Sequence, residues 1–157
     1  MTDEKNAELS ERIHSELDEI PIVLARMKNG WEQARRSNDD LYLDGVALNL
    51  HGFYLGAERI FAHIAELIDG GAPQGEHWHL RLLDQMSAEI PRRRPPVISQ
   101  ETATKLDEYR RFRHIVRNVY THVFDPVKIE KLVIDAFPLF ERLKAELTAF
   151  IGLLEQD

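Results

Sequence analysis

The chemistry-bearing residues of this chain concentrate in one segment, Tyr109-Arg110-Arg111-Phe112-Arg113-His114-Ile115-Val116-Arg117-Asn118-Val119-Tyr120-Thr121-His122. Read as a helix at about 100° per residue, Tyr109, Phe112, Val116, Val119, Tyr120 and Val123 share an apolar face. Arg110, His114, Arg117, Asn118, Thr121 and His122 form the opposite arc. His114, Asn118 and His122 step by fours and stack in a row. Arg117 lies about 140° around from His122 on an ideal helix. The two converge only through a distorted helix end or through a second subunit.

These are the parts for metal-free cleavage of RNA. That reaction needs a base for the 2′-hydroxyl proton and a cation for the charge that grows on phosphorus. Histidine is the natural base near neutral pH. Arginine offers a planar, permanently charged fork for phosphate oxygens. His122 is expected in the last turn of the helix, where the dipole favours its charged form. The competing reading is the solvated face of a surface helix, since Arg and His at this separation also occur by chance in an Arg-rich chain.

Helical spacing of apolar residues recurs along the rest of the chain. Leu9, Ile13, Leu17, Ile20, Leu24, Met27 and Trp31 mark a first helix from about Glu4 to Arg36, with Pro21 expected to kink or split it. Ser37-Asn38-Asp39-Asp40 is a break of capping residues. The second helix carries Leu43, Val46, Leu50, Phe53, Tyr54, Ala57, Ile60, Phe61, Ile64 and Leu67, a stripe wide enough for a central position. Gly52 and Gly56, one turn apart, suit a close helix approach. Asp69-Gly70-Gly71-Ala72-Pro73 ends it. A short third helix is expected from Glu76 to Glu89, followed by the stiff link Pro91-Arg92-Arg93-Arg94-Pro95-Pro96. Ser99 caps a fourth helix, expected to reach Val123. Asp125 caps a fifth, with Pro126 in its first turn, Pro138 expected to bend it, and an apolar stripe from Ile129 to Leu154. No segment reads as a strand. The expected fold is all-α: an up-and-down bundle of four long helices and one short one.

The chain has 157 residues, with 20 Lys+Arg against 27 Asp+Glu, a net charge of −7 and no cysteine. That length suits one domain spanning residues 1–157. The absence of cysteine excludes disulfides, thiol catalysis and cysteine metal sites. The acidic balance argues against a surface devoted wholly to nucleic acid. The start resembles no signal peptide, and no apolar run approaches the roughly 18 residues of a membrane span, so the expected location is the cytoplasm and no membrane partner is called for.

Other candidates have plainer explanations. His77 and His79 flank Trp78, and residues two apart on a helix diverge, so joint metal ligation is not expected. Trp78 is expected as a core anchor, with both histidines at the mouth of a helix N-terminus. His51 and His63 read as core-edge histidines, Glu58 and Glu66 as solvated residues. Asp39, Asp40 and Asp44 read as helix-start residues. Arg92, Arg93 and Arg94 fit a phosphate-contacting loop, a solubility loop or a docking epitope equally well.

Arg117-Asn118-Val119-Tyr120-Thr121-His122 resembles the Arg-x4-6-His motif of HEPN ribonucleases, including a polar residue after the arginine. Leu48 to Ile60, Gly75-Glu76-His77-Trp78-His79 and Glu108 to His114 resemble the corresponding stretches of HepT-like proteins. The resemblance implies an all-α homodimer with two Arg-His motifs facing each other. It further implies a metal-independent endoribonuclease toxin, without cofactor, paired with a minimal nucleotidyltransferase antitoxin. His122 would be the general base, Arg117 would stabilise the transition state, and Asn118 would hold phosphate or orient His122. Arg110, Arg113 and His114 would contact RNA. In a well-known subgroup the motif continues to a tyrosine that the antitoxin modifies; that position here is Phe124. Tyr120 is assigned to the apolar face and does not inherit the role. The alternative is a catalytically silent partner or substrate-binding subunit of the nucleotidyltransferase. A third reading, a ligand-binding bundle around Gly52, Gly56 and Trp78, has no nucleic-acid role.

Overall fold

The computed structural model describes residues 2–156 as five α-helices, with no strand among them. Helix α1 spans Thr2–Ser37 and α2 spans Leu41–Leu67. Leu9, Ile13, Leu17, Ile20, Leu24 and Met27 are buried at the predicted steps of three and four. They face α2 across the largest helix–helix contact in the molecule. Close approach depends on Gly56: a Cβ there would stand 3.0 Å from the Ile20 side chain. The expected split at Pro21 does not occur, and α1 runs through it as one helix. Pro21 is exposed, outside the buried stripe of the helix.

Helix α2 is central, as its wide stripe predicts, and packs on all four other helices. Helix α3 is Trp78–Ser87, shorter at both ends than expected. The link after it is not the open basic loop that the sequence suggests at all three arginines. Arg94 is buried and forms a two-pronged ion pair with Asp69, at 2.7 Å through Nε and 2.6 Å through Nη2. Its remaining donors reach the carbonyls of Ala88, Pro95 and Gln85. One side chain thereby ties the end of α2 to the end of α3 and the link. Arg92 and Arg93 are exposed.

Helix α4, Gln100–Asn118, begins where expected, with the Ser99 hydroxyl accepting from the Thr102 amide at 3.1 Å. Glu146 of the last helix, α5 (Pro126–Glu155), accepts from the Ser99 amide and hydroxyl and from the Thr102 hydroxyl, fixing this start. Tyr109 is buried, donates to the Leu132 carbonyl at 2.7 Å and meets Phe53 edge-on at 5.3 Å. That residue locks α4 between α2 and α5.

The end of α4 departs from expectation. The helix is Gln100–Asn118, and Thr121–Val123 form a separate 3-10 turn. Val119, Thr121 and Val123 are β-branched, which weakens a continuing helix. The Asn118 amide donates to the His114 carbonyl at 2.7 Å, competing inside the last turn. Beyond them, Asp125 caps α5, Pro126–Glu155, by accepting from the Val127 amide at 3.0 Å. Breaking the helix also lets Phe124 turn inward against Phe112, ring centroids 6.1 Å apart. His122 is therefore not in the last turn of α4, the His114-Asn118-His122 row stops at Asn118, and the dipole argument for His122 falls. The expected apolar face stops too: Val119, Tyr120 and Val123 are exposed, Tyr120 at 79%.

Candidate functional site

Arg110, Arg113, His114, Arg117 and Asn118 of α4, with His79 of α3, line one open cleft of about 290 Å³. Five of the six residues singled out in the sequence thus lie together. They do so because steps of three, four and seven return to one side of a helix. His122 is not among the lining residues; it lies in the exposed turn, its ring stacked on Tyr120 at 5.7 Å. Asn118 holds His114, through both the His114 carbonyl and Nδ1 at 3.3 Å. Arg110 is paired with Asp107 at the cleft's edge.

Behind the lining, in contact with His79, lies Glu58, which the sequence reading expects to be solvated. Glu58 of α2 is 7% exposed. Its Oε2 lies 2.6 Å from His79 Nδ1, and His79 Nε2 lies 3.1 Å from Arg113 Nη1. A guanidinium only donates, so Nε2 accepts and the imidazole proton sits on Nδ1, donating to Glu58. Tyr54 is one turn before Glu58; burial, and then the negative charge of Glu58, push its hydroxyl well above the usual tyrosine range. His51 sits nearby. Burial, followed by the positive charges of Arg113 and Arg117, holds its imidazole below the ordinary histidine value.

Two polar atoms under this cleft, His51 Nδ1 and Arg113 Nε, are buried without a hydrogen-bond partner. Such orphans are rare in native interiors and call for an explanation. The three arginines of the lining, near a histidine whose charged form burial disfavours, can pair with an anion by charge and by the fork of the guanidinium group. No group of three or more His, Asp and Glu side chains suited to a metal occurs among the described residues. Glu58 was legible in principle. It sits in the buried stripe one turn after Tyr54 and three residues before Phe61, and a carboxylate in such a stripe requires a partner. His79 as that partner was not legible, because the pairing depends on how α3 lands on α2.

The described residues thus form an all-α bundle with cationic and imidazole side chains gathered along one helix, the last of them opening the Arg117-x4-His122 segment. A model of the family described as HepT-like protein matches residues 45–154, and the chain belongs to that family. The match runs from the first turns of α2 to the end of α5. No curated protein and no solved structure matches the chain. No helix among the described residues is long and apolar enough to cross a membrane.

Proposed function

We propose that this protein is a metal-independent endoribonuclease, the toxin of a toxin–antitoxin pair acting in the cytoplasm, whose antitoxin is a minimal nucleotidyltransferase. The observation that carries the reading is the cleft that unites Arg110, Arg113, His114, Arg117 and Asn118 in a HepT-like chain. A phosphodiester fits it by charge and by the forked geometry of guanidinium groups. Arg117 would hold the non-bridging oxygens as charge develops on them. His122 would take the 2′-hydroxyl proton.

His122 lies outside the cleft of its own chain, so the reading requires a second copy to complete the site. Ile115, Val119, Tyr120, Val123 and Val127 are all exposed along the same stretch. That is an apolar run beside the cleft, suited to burial against another copy of this chain. Phe124 favours a second reading, the silent nucleotidyltransferase partner, because it carries no hydroxyl to modify and is turned into the core.

The deciding experiment is RNA cleavage by the purified protein in excess chelator, beside Arg117→Ala and His122→Ala. The expected outcome is cleavage leaving 2′,3′-cyclic phosphate ends, with each variant slower by about 100-fold or more. Silence of the parent toward total cellular RNA, with tight binding to the nucleotidyltransferase, would replace the first reading with the second.

A further inference from the structure

Glu58, His79 and Arg113 form a chain of contacts that structural stability alone does not require. Glu58 is buried and charged, and an apolar residue would pack in α2 without needing a partner. Instead its carboxylate grips His79 Nδ1 at 2.6 Å, which fixes the ring and leaves Nε2 as the working nitrogen. His79 lines the cleft with the Trp78 ring stacked on it at 3.6 Å, and Nε2 takes its hydrogen bond from the Arg113 guanidinium at 3.1 Å. An anion entering the cleft competes for that guanidinium, whose Nε has no partner in the free protein. Once Arg113 turns to the anion, Nε2 is uncovered beside it. A carboxylate on Nδ1 stabilises the imidazolium that forms when Nε2 then takes a proton.

We propose that His79 is a further catalytic residue of this cleft, the general acid for the leaving group, and that Glu58 is its positioning residue. The proposal rests on the ribonuclease reading above. The 2′-hydroxyl gives its proton to His122, supplied by the second copy of the chain, as its oxygen bonds to phosphorus. The bond from phosphorus to the 5′-oxygen breaks, and that oxygen takes the proton from His79 Nε2. The products are a 2′,3′-cyclic phosphate and a 5′-hydroxyl. His79 is left neutral with its proton on Nδ1, the tautomer that its contacts with Glu58 and Arg113 favour, and solvent restores both histidines. The assignment divides the labour by surroundings: the exposed His122 accepts a proton, and the histidine beside a buried carboxylate delivers one.

The test uses two RNA oligomers of the same cleaved sequence, one natural and one with sulfur replacing the 5′-bridging oxygen at the scissile linkage. A thiolate leaves without a proton, so loss of a general acid is silent on the sulfur substrate. For His79→Ala the expected result is a loss of about 100-fold or more on the oxygen substrate and a rate within about 3-fold of the parent on sulfur. Retained sulfur cleavage also shows that the variant is folded. Glu58→Gln should follow the same pattern with a loss of about 10-fold. His122→Ala, lacking the base, should be slow on both. Equal losses for His79→Ala on the two substrates, or no loss on either, would overturn the acid assignment while leaving the ribonuclease reading intact. A parent inert toward both substrates would overturn the ribonuclease reading and the acid role with it.

Discussion

Replacement of Arg94 by methionine separates a structural arginine from a functional one. The substitution keeps an apolar stem of similar length and removes five N–H donors. All five are engaged: two on Asp69 and three on the carbonyls of Ala88, Pro95 and Gln85. The paired side chains are 2% and 1% exposed. After the substitution Asp69 keeps the Gln85 amide at 2.8 Å as its side-chain donor, and its charge is otherwise uncompensated. Removing one member of a buried, fully bonded ion pair costs about 3–5 kcal/mol. A domain of this size has a total stability of roughly 5–15 kcal/mol. The expected fall in melting temperature is roughly 6–20 °C. Urea unfolding followed by circular dichroism at fixed pH measures the change directly. Arg92→Ala and Arg93→Ala, at exposed positions, should stay within about 0.5 kcal/mol of the parent. Arg94→Met combined with Asp69→Leu should recover most of the loss, because the stranded charge is gone. An Arg94→Met protein within about 1 kcal/mol of the parent would refute the reasoning, as would equal costs at all three arginines.

Two further outcomes follow from the cleft and its rim. Tyr120 presents an exposed ring beside His122; if an RNA base stacks on it, Tyr120→Ala weakens RNA binding by about 1–3 kcal/mol, and Tyr120→Phe does not. Fluorescence anisotropy with a labelled single strand reads this, and unchanged affinity in Tyr120→Ala removes Tyr120 from the interface. His51, held below its ordinary value of 6.5, makes folding sensitive to acid. As pH falls through about 6.5 the unfolded chain gains a proton that the folded one refuses, so stability declines until the folded protein is itself protonated. His51→Asn should flatten that part of the stability curve between pH 7 and 5, and parallel curves for parent and variant would assign the acid sensitivity elsewhere.

Local rules carried most of the fold. The buried residues of α1 and α5 fall at the steps read from the sequence, and Ser99 and Asp125 cap the helices they were expected to cap. Periodicity favoured carrying α4 on to Val123. Against it stood local preferences, the β-branched Val119, Thr121 and Val123 and the extended residue that Pro126 requires before it, and one non-local demand, the packing of Phe124 on Phe112. Those demands won, and they moved His122 from the polar row to an exposed turn. Arg94 was ambiguous for a related reason. Three consecutive arginines between prolines look alike in sequence, and only the fold of the link decides which one meets Asp69.

The site divides along the same line. Arg110, Arg113, His114, Arg117 and Asn118 share one helix, so a wheel drawn from spacing finds them together. Glu58 and His79 sit on two other helices and are 21 residues apart in the chain. No periodicity connects them, and each alone has a bland explanation. Their pairing adds what the single-helix pattern lacked. Metal-free RNA cleavage moves two protons, one off the attacking hydroxyl and one onto the leaving oxygen. The motif on α4 and its following turn provides cations in quantity and two exposed histidines, His114 held by Asn118 at the cleft and His122 stacked on Tyr120 in the turn. What His79 adds is a buried carboxylate on its second nitrogen, the feature on which the proposed acid role rests. The cleft therefore owes its arginines to the repeat of one helix and its buried carboxylate–histidine pair to the packing of three, and only the first of these is written in local sequence.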